Sequence, residues 1–477
     1  MSEQLELHDI QGIIIRGYSK LPAAHFLLLS VKDRIGARQW LSMILKSITP
    51  GDQRPEESAT HIAFTFEGLK ALGLQHDVMK TFPLEFEDGM TTPHKQFFLG
   101  DFAASAPEHW EWGGPHTPAV HILLMLYAKD AGLLDANLDA IRRDFDGLGI
   151  QEVQLLETTV LYERKEHFGF HDGISQPTIK GLRRNDNDEN CLEAGEFILG
   201  YKNEYGQYTP GPTVPAPVDS GNRLPQSSAH DLHDLGMNGS YIAFRQFKQD
   251  VPLFWKFMAK ATQIADGSWD ENAMIKLASQ MVGRWPDGTP LVLSPDKDGG
   301  KPEANNAFDY RHSDPDGLKC PFAAHIRRSN PKDSLDTDRA TSIAIVKKHR
   351  ILRRGRSYGP PLTAQLKPLD CLNAAETTVE RGLHFMSINA DIGRQFEFLQ
   401  NGWIYNQKFN GLYEERDPLI ANHHNPQDEK DTGTFRIPRE GLRTRITDLP
   451  EFVQVKGAAY FFIPGLRALS FLANVNP

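Results

Sequence analysis

Residues 169–173 read Gly-Phe-His-Asp-Gly and place the carboxylate of Asp172 between two glycines. The glycine, serine and proline content of residues 167–177 predicts a turn rather than a helix or a strand. Gly169 and Gly173 can adopt backbone conformations that other residues avoid, so this loop can approach a ligand closely. The segment therefore offers an acid that can face a flat ligand, although many ordinary turns share the pattern.

Two later segments supply groups that an ordinary turn does not need. His325 follows a small apolar stretch, precedes Arg327 and Arg328, and can bind a metal ion through a ring nitrogen. Residues 349–360 carry four arginines, among which Arg353 is the candidate for a cation that does not lose its proton. An acid, a metal-binding imidazole and a permanent cation are the groups that a haem peroxidase requires.

In this order the three segments resemble the dye-decolourising peroxidase family. That family carries a Gly-x-x-Asp-Gly motif, a proximal histidine and a distal arginine in an Ile-Leu-Arg-Arg-Gly type of segment. Other stretches similar to family signatures lie at residues 7–12, where the family has its first strand, and at residues 100–102, 110–114 and 460–467. The compact bacterial branch has an asparagine where this chain has Gly355, and the overall form is closer to the larger fungal and cyanobacterial branch.

The resemblance implies a peroxidase that uses hydrogen peroxide to oxidise bulky dyes, other aromatic compounds or phenols in one-electron steps. It implies one haem b per chain, with His325 as the iron ligand. Asp172 would be the distal acid–base residue, because one carboxylate can take and return a proton. Arg353 would stabilise negative charge as the O–O bond breaks, with Arg354 as its competitor for this role.

Other residues have supporting roles in the same interpretation. Leu383 and Phe385 match apolar residues above the haem, and Gly169 and Gly173 belong to the loop that faces it. The remaining candidates are Arg327, Arg328 and Arg356 for the haem propionates, Glu397 or Asp391 for the carboxylate behind His325, and Tyr358, Trp403 and Tyr405 for electron relay. Packing in the core or an exposed surface position is the simpler role for each of these.

Two other functions stay open at this stage. A haem-binding or haem-handling protein with little turnover would keep His325 but would not need Asp172 and Arg353. A metal-free binding module would use the same motifs only as turns. The sequence contains no P-loop and no His-Glu-x-x-His motif, so nothing favours a nucleotide hydrolase or a zinc protease.

Composition limits the class of protein. The chain has 477 residues, enough for two domains, which we place at residues 1–180 and 181–477. A net charge of −10 argues against a general nucleic-acid binder, and no apolar run is long enough to predict a membrane span. Three widely spaced cysteines and an acidic N-terminus without an export signal favour the cytoplasm, with a trimmed secreted form as the alternative. The oligomeric state stays open.

The elements that must position these residues alternate between strands and helices. Apolar alternation predicts strands at residues 12–18, 24–31, 61–66, 121–127, 153–162, 240–247, 382–389 and 460–464. Helical spacing predicts helices at residues 35–45, 67–73, 130–145, 251–265, 272–282, 392–399 and 466–472. This order indicates an α+β fold with antiparallel sheets. The resemblance specifies it as two ferredoxin-like domains of the dimeric α/β-barrel type, each with a sheet faced by helices.

Overall fold

The computed structural model describes residues 4–182, 188–299, 306–375, 378–423 and 433–474. The sheet of the N-terminal half consists of β1 (Ala23–Val31), β2 (Ser58–Phe64), β3 (Ile122–Ala128) and β4 (Ile150–Glu157). These strands are hydrogen-bonded in the antiparallel order β4-β1-β3-β2. Helix α1 (Arg34–Ile44) connects β1 to β2, and α2 (Ala131–Phe145) connects β3 to β4. This is the ferredoxin-like arrangement that the family resemblance implies.

Capping and apolar spacing explain both helices. Asp33 caps α1 by accepting a hydrogen bond from the backbone N–H of Gly36, and Asp130 caps α2 in the same way. The buried side chains recur at helical spacing, so each helix presents one apolar stripe to the sheet. Those side chains are Ala37, Trp40, Leu41 and Ile44 in α1, and Leu134, Leu138, Ile141 and Phe145 in α2.

The C-terminal half repeats the arrangement with longer connections. Its strands are β5 (Ser240–Gln249), β6 (Leu352–Arg353), β7 (Arg356–Tyr358), β8 (Gly382–Asn389) and β9 (Val453–Ile463). They follow the antiparallel order β6-β8-β5-β9, and β7 also pairs with β8. Its helices are α3 (Val251–Ala261), α4 (Glu271–Val282), α5 (His325–Ser329), α6 (Arg339–Lys347) and α7 (Leu466–Ala473). Shorter helices outside this repeat are Phe66–Ala71, His76–Met79, Leu84–Asp88, Pro93–Leu99 and Pro368–Asn373.

The two halves join at one antiparallel residue pair, Phe64 of β2 with Phe462 of β9. Their inner faces then pack against each other across an apolar core. The rings of Phe26 in β1 and Phe244 in β5 lie 5.9 Å apart at their centroids, in an edge-to-face contact. The two halves therefore share one interior, and the outer face of the C-terminal sheet is free to build a site.

Strand alternation determines which side chains reach that outer face. On β8, His384 and Met386 are buried in the shared interior, while Leu383 and Phe385 point to the opposite side. On β6, Leu352 is in the interior core and the next residue, Arg353, faces outward. A shift of one residue in either strand would exchange the two sets of side chains.

Three local predictions need correction. Residues 12–18, predicted as a strand, begin with the short helix Gly12–Ile15, and residues 7–12 form turns rather than the expected first strand. Periodicity cannot separate a short buried helical turn from a strand when every residue is apolar. The helix predicted at 392–399 is two π-helical turns, Gly393–Glu397 and Leu399–Tyr405. The other predicted elements are present with shifted ends; the largest shift is in the strand predicted at 460–464, which begins at Val453.

The described part of the chain contains no helix that is both long and apolar enough to cross a membrane. Cys191, Cys320 and Cys371 are all buried and form no disulfide.

Candidate active site

A cavity of about 260 Å³ lies against the outer face of β5 and β8, beside the loop that carries Asp172. Most of its wall is apolar, and the ionisable groups that reach it come from distant parts of the chain. The apolar side chains include Phe168, Phe170, Phe247, Leu383, Phe385, Phe396, Leu399 and Ile404. The charged or titratable ones include Glu166, His171, Asp172, Arg284, His325, Lys332, Arg350 and Arg353. An apolar cavity with a few convergent polar groups is the usual form of a cofactor site.

Asp172 and Arg353 form an ion pair at the cavity wall, with Nη1 of Arg353 donating to Oδ1 of Asp172 at 2.9 Å. The same oxygen accepts a hydrogen bond from the backbone N–H of Gly173 at 2.6 Å. Arg354 points the other way and donates to carbonyl oxygens of the N-terminal segment. The structure therefore brings Asp172 together with Arg353 and not with Arg354.

The surroundings of Asp172 keep it ionised in acid. Burial acts to raise the pKa of this carboxyl group, but the Arg353 guanidinium and the Gly173 N–H outweigh it and lower the pKa below its ordinary value. About 39% of the side chain is accessible, and it lines the cavity. The group is therefore an ionised base that a small molecule in the cavity can reach.

The two glycines of the loop have different roles. Gly169 has a φ of +96°, and a Cβ there would lie 2.6 Å from the carbonyl oxygen of Leu366, so only glycine fits. Gly173 has a φ of +80° and lines the cavity, with no atom within 4 Å of where a Cβ would be. Of the two, Gly173 lies at the cavity, whereas Gly169 holds the loop against its neighbours.

His325 begins α5 and faces the cavity, where 28% of its side chain is accessible. Its Nδ1 lies 2.7 Å from Oδ2 of Asp417. Because an ionised carboxylate only accepts hydrogen bonds, Nδ1 carries the proton and Nε2 is left as the ring nitrogen that can bind a metal. Burial lowers the pKa of His325, but the Asp417 carboxylate outweighs it, so the net shift is upward.

Asp417 replaces the carboxylates predicted from sequence. Glu397 instead accepts hydrogen bonds from Nζ of Lys95 at 2.7 Å and from the Tyr460 hydroxyl at 2.9 Å, within a buried cluster. Asp391 accepts the backbone N–H of Arg394 at 2.9 Å and caps the π-helical segment. Both candidates are thus engaged elsewhere, and the prediction of Glu397 or Asp391 behind His325 was wrong.

No sequence pattern marks Asp417. It lies 92 residues beyond His325, in a segment without regular secondary structure. Its side chain is fully buried, and Oδ1 accepts the backbone N–H groups of Leu419 and Ile420. An acid followed by apolar residues in a loop was the only available signal, and that signal is too common to be used.

The arginines assigned to the haem propionates also need correction. The guanidinium of Arg327 is buried and donates to Oδ2 of Asp314 at 2.9 Å. Arg328 is fully buried and donates to backbone carbonyl oxygens, and Arg356 does the same near residues 17–21. These groups stabilise the protein around α5 and β7 and do not line the cavity, so we withdraw the assignment.

Other cations line the cavity instead. Among the described residues, neither Lys332 nor Arg350 forms an ion pair with a carboxylate; Arg350 is buried and Lys332 is half-buried. Burial lowers the pKa of Lys332 to about 8 and that of Arg350 to about 10, because it outweighs the attraction of the nearby carboxylates. Arg284 lines the same cavity. An anionic ligand would complete this part of the site.

The three aromatic residues predicted as electron relays are mostly buried. Tyr358 is stacked on His384, with ring centroids 4.5 Å apart, in the core side of the sheet. Trp403 packs between His349 and Phe409. The guanidinium of Arg416 lies over the ring of Tyr405, 4.4 Å from its centroid. Packing accounts for all three positions, and relay stays a prediction.

The donor set fits a metal that brings its own macrocycle. In the part of the chain that the structure describes, no three His, Cys, Asp or Glu side chains are grouped to hold a metal ion. The cavity offers one imidazole nitrogen, apolar walls and cations at the side. Haem needs a single axial ligand from the protein, apolar contacts for its ring and partners for its propionates, so these residues fit it.

Comparisons with known proteins agree with this geometry. The chain is 30% identical over 529 residues to a dye-decolorizing peroxidase of Mycena epipterygia, covering 99% of this chain and 88% of the relative. A solved DyP-type peroxidase of Auricularia auricula-judae superposes with a TM-score of 0.78 at 26% identity, covering 99% and 100% of the two chains. A dye-decolorizing peroxidase in complex with 2,6-dimethoxyphenol gives 0.74 at 26%, covering 98% and 100%. No family model matches the chain.

Proposed function

The chain belongs to the dye-decolourising peroxidase family, and we propose that Asp172, Arg353 and His325 carry its reaction on a haem b, one per chain. It is a peroxidase, an oxidoreductase that uses hydrogen peroxide, in a family of haem enzymes. The observation that carries the residue assignment is the ion pair between Asp172 and Arg353 in the cavity that His325 also faces. No simple turn or structural ion pair requires these three groups around one cavity.

His325 would hold the haem iron through Nε2, with Asp417 fixing the ring from behind. Lys332, Arg350 and Arg284 would face the propionates. When bound, the haem would supply the two electrons that hydrogen peroxide takes up. Leu383 and Phe385 would pack against the ring and keep water from it.

Asp172 would act as the base and then as the acid of the peroxide step. Its ionised carboxylate removes a proton from one oxygen of hydrogen peroxide and returns it to the other, which leaves as water. Arg353 would stabilise the negative charge on the departing oxygen, because its guanidinium stays protonated and is already fixed by Asp172. Since the Asp172 pKa lies below its ordinary value, this base works in acid, where a histidine would be protonated.

We propose aromatic compounds as reductants, including phenols and bulky dyes, each giving one electron. The relative that binds 2,6-dimethoxyphenol supports a phenol for this chain. A bulky dye would give its electron from outside the cavity rather than inside it. A haem-handling protein would need His325 but not the ion pair of Asp172 with Arg353, so that pair favours turnover over storage.

We also propose that the two ferredoxin-like units divide near residue 180. The N-terminal sheet ends with β4 at Glu157, and β5 of the second sheet begins at Ser240. The boundary falls in the long connection between them, of which residues 183–187 lie outside the described part. In this division the distal loop belongs to the first unit and His325 to the second.

Steady-state oxidation of 2,6-dimethoxyphenol by the haem-loaded protein tests this function. We expect peroxide-dependent oxidation in the wild type and a loss of roughly a hundredfold or more in kcat/KM for peroxide in Asp172→Asn. Asp77→Asn, which removes an exposed acid, is the matched control and should keep full activity. Equal activity in Asp172→Asn and the wild type would overturn the assignment.

A further inference from the structure

Glu166 is a second carboxyl group of the cavity, six residues before Asp172 on the same loop. It lies at the cavity wall, yet the described residues give it no ion pair with a lysine or arginine. Its Oε1 accepts the backbone N–H of Phe170 at 2.9 Å, and Oε2 accepts that of Phe168 at 2.9 Å. The reaction derived above assigns no role to this group.

The contact with Gln249 of β5 allows Glu166 to exist in either protonation state. Nε2 of Gln249 lies 2.6 Å from Oε2 of Glu166 and donates to the ionised form. Oε1 of Gln249 is buried and has no hydrogen-bond partner among the described residues. The amide can therefore turn over without breaking another bond of that oxygen, and its carbonyl then accepts a hydrogen bond from a protonated Glu166.

The ionisable groups around Glu166 do not favour its charged form. Asp172 on the same loop raises the pKa of Glu166, and the Cys371 thiol of the helix Pro368–Asn373 lies near it as a further acid. Gln249 from β5 is uncharged. Burial is the largest effect, and together with Asp172 it raises the pKa of Glu166 to about 7 although three hydrogen bonds act to lower it.

The reaction needs protons that Asp172 does not hold. Reduction of hydrogen peroxide follows H₂O₂ + 2 H⁺ + 2 e⁻ → 2 H₂O. The peroxide step uses the two protons of peroxide itself, so the second oxygen leaves as water only after two more protons arrive. A phenol oxidised outside the cavity releases its proton there, and Asp172 is ionised at working pH because its pKa is lowered.

We propose that Glu166 is the proton donor of the reductive half of the reaction and takes up a new proton after each transfer. Two carboxyl groups on one loop thus transfer different protons. Asp172 moves the proton of peroxide, and Glu166 supplies protons for the oxygen that remains. This inference rests on the proposed function, since it requires the peroxide step to occur first.

A double-mixing experiment measures the peroxide step and the reductive half of the reaction separately. Haem-loaded protein is mixed with one equivalent of hydrogen peroxide and then with 2,6-dimethoxyphenol, and the return of the absorption spectrum to the resting form is timed. In Glu166→Gln we expect the peroxide step to change less than about twofold and the return to slow roughly tenfold or more. Glu163→Gln, on the exposed part of the same segment, is the matched control. An unslowed return in Glu166→Gln overturns the proposal, whereas loss of the peroxide step in the wild type would overturn the proposed function instead.

Two wild-type measurements keep the inference testable if Glu166→Gln does not fold. The rate of return should fall as pH rises through about 7, and a rate that is flat from about pH 5 to 9 contradicts the proposal. Folding raises the pKa of the Glu166 carboxyl group. Its contribution to the stability of the protein is therefore greatest at pH values below the pKa that this group has in the unfolded chain, and this contribution is lost as pH rises to about 7. Where the variant does fold, Tm of the wild type should therefore decline relative to Glu166→Gln between about pH 5 and 7.5.

Discussion

The carboxylate of Asp417 accepts a 2.7 Å hydrogen bond from Nδ1 of His325. Asp417 is fully buried and is itself held by two backbone N–H groups, so the imidazole cannot turn without breaking a network. This arrangement fixes the tautomer of His325 and directs Nε2 to the cavity. It also makes the ring more basic, which would strengthen a bond from His325 to the haem iron.

Replacing Asp417 should therefore weaken haem binding. We expect Asp417→Asn to reduce haem affinity roughly 10- to 100-fold, because the ring loses its charged partner but keeps a neighbour of the same size. Titration of the purified protein with haem, followed by its Soret band, measures this. Asp391→Asn is the control, since Asp391 caps the π-helical segment and does not contact His325. Equal losses in the two variants would contradict the role of Asp417.

Arg353 should control the acidic limit of the peroxide step. Its charge lowers the pKa of Asp172, so the base stays ionised until pH falls through that lowered value. In Arg353→Gln the effect of burial is no longer offset, so the pKa of Asp172 rises and the acid limb of the rate profile moves to higher pH. The peroxide-step rate measured against pH tests this. If the acid limb lies at the same pH in both proteins, Arg353 does not set the pKa of the base, and the prediction is wrong.

Substitutions at two neighbouring residues of β8 should have different effects, one on haem binding and the other on the stability of the protein. Phe385→Ala should weaken haem binding while the protein without haem loses little stability, because this side chain faces the cavity. Met386→Ala should lower the free energy of unfolding by about 2–5 kcal/mol, because Met386 is fully buried between the two halves. Urea unfolding and haem titration of both variants measure the two effects. The reverse pattern would mean that the strand faces the other way.

Substitutions of the cationic residues should distinguish those that bind haem from those that stabilise the protein. Lys332→Gln and Arg350→Gln should weaken haem binding by removing charge that faces the cavity. Arg327→Gln should instead destabilise the protein by about 3–5 kcal/mol, because it leaves Asp314 buried without its partner. Haem titration and urea unfolding distinguish the two outcomes. Haem affinity that falls only in Arg327→Gln would restore the original sequence-based assignment.

The motif residues could be predicted from the sequence, because each lies in a short segment whose residue types indicate its chemistry. The turn around Asp172 and the apolar spacing of β8 follow from neighbouring residues, whereas the short strand that turns Arg353 outward was not predicted. The ferredoxin-like repeat follows from the order of strands and helices together with the family resemblance.

The partners of these residues could not be predicted, because they depend on contacts between distant segments. Asp417 and Gln249 meet His325 and Glu166 only after the C-terminal half has folded. Arg327 and Arg328 lie next to His325 in sequence, but their guanidinium groups turn into the core, where carbonyl and carboxylate oxygens satisfy them. Adjacency in sequence was therefore a poor guide to which cations reach the cavity.

The most direct test of the account is the rate at which one equivalent of hydrogen peroxide changes the Soret band of the haem-loaded protein. The account predicts a prompt change in the wild type, a change slowed roughly a hundredfold or more in Asp172→Asn, and loss of the normal Soret band in His325→Ala. A change in Asp172→Asn as fast as in the wild type would contradict the assignment of Asp172 as the acid–base residue. An unaltered Soret band in His325→Ala would contradict His325 as the iron ligand.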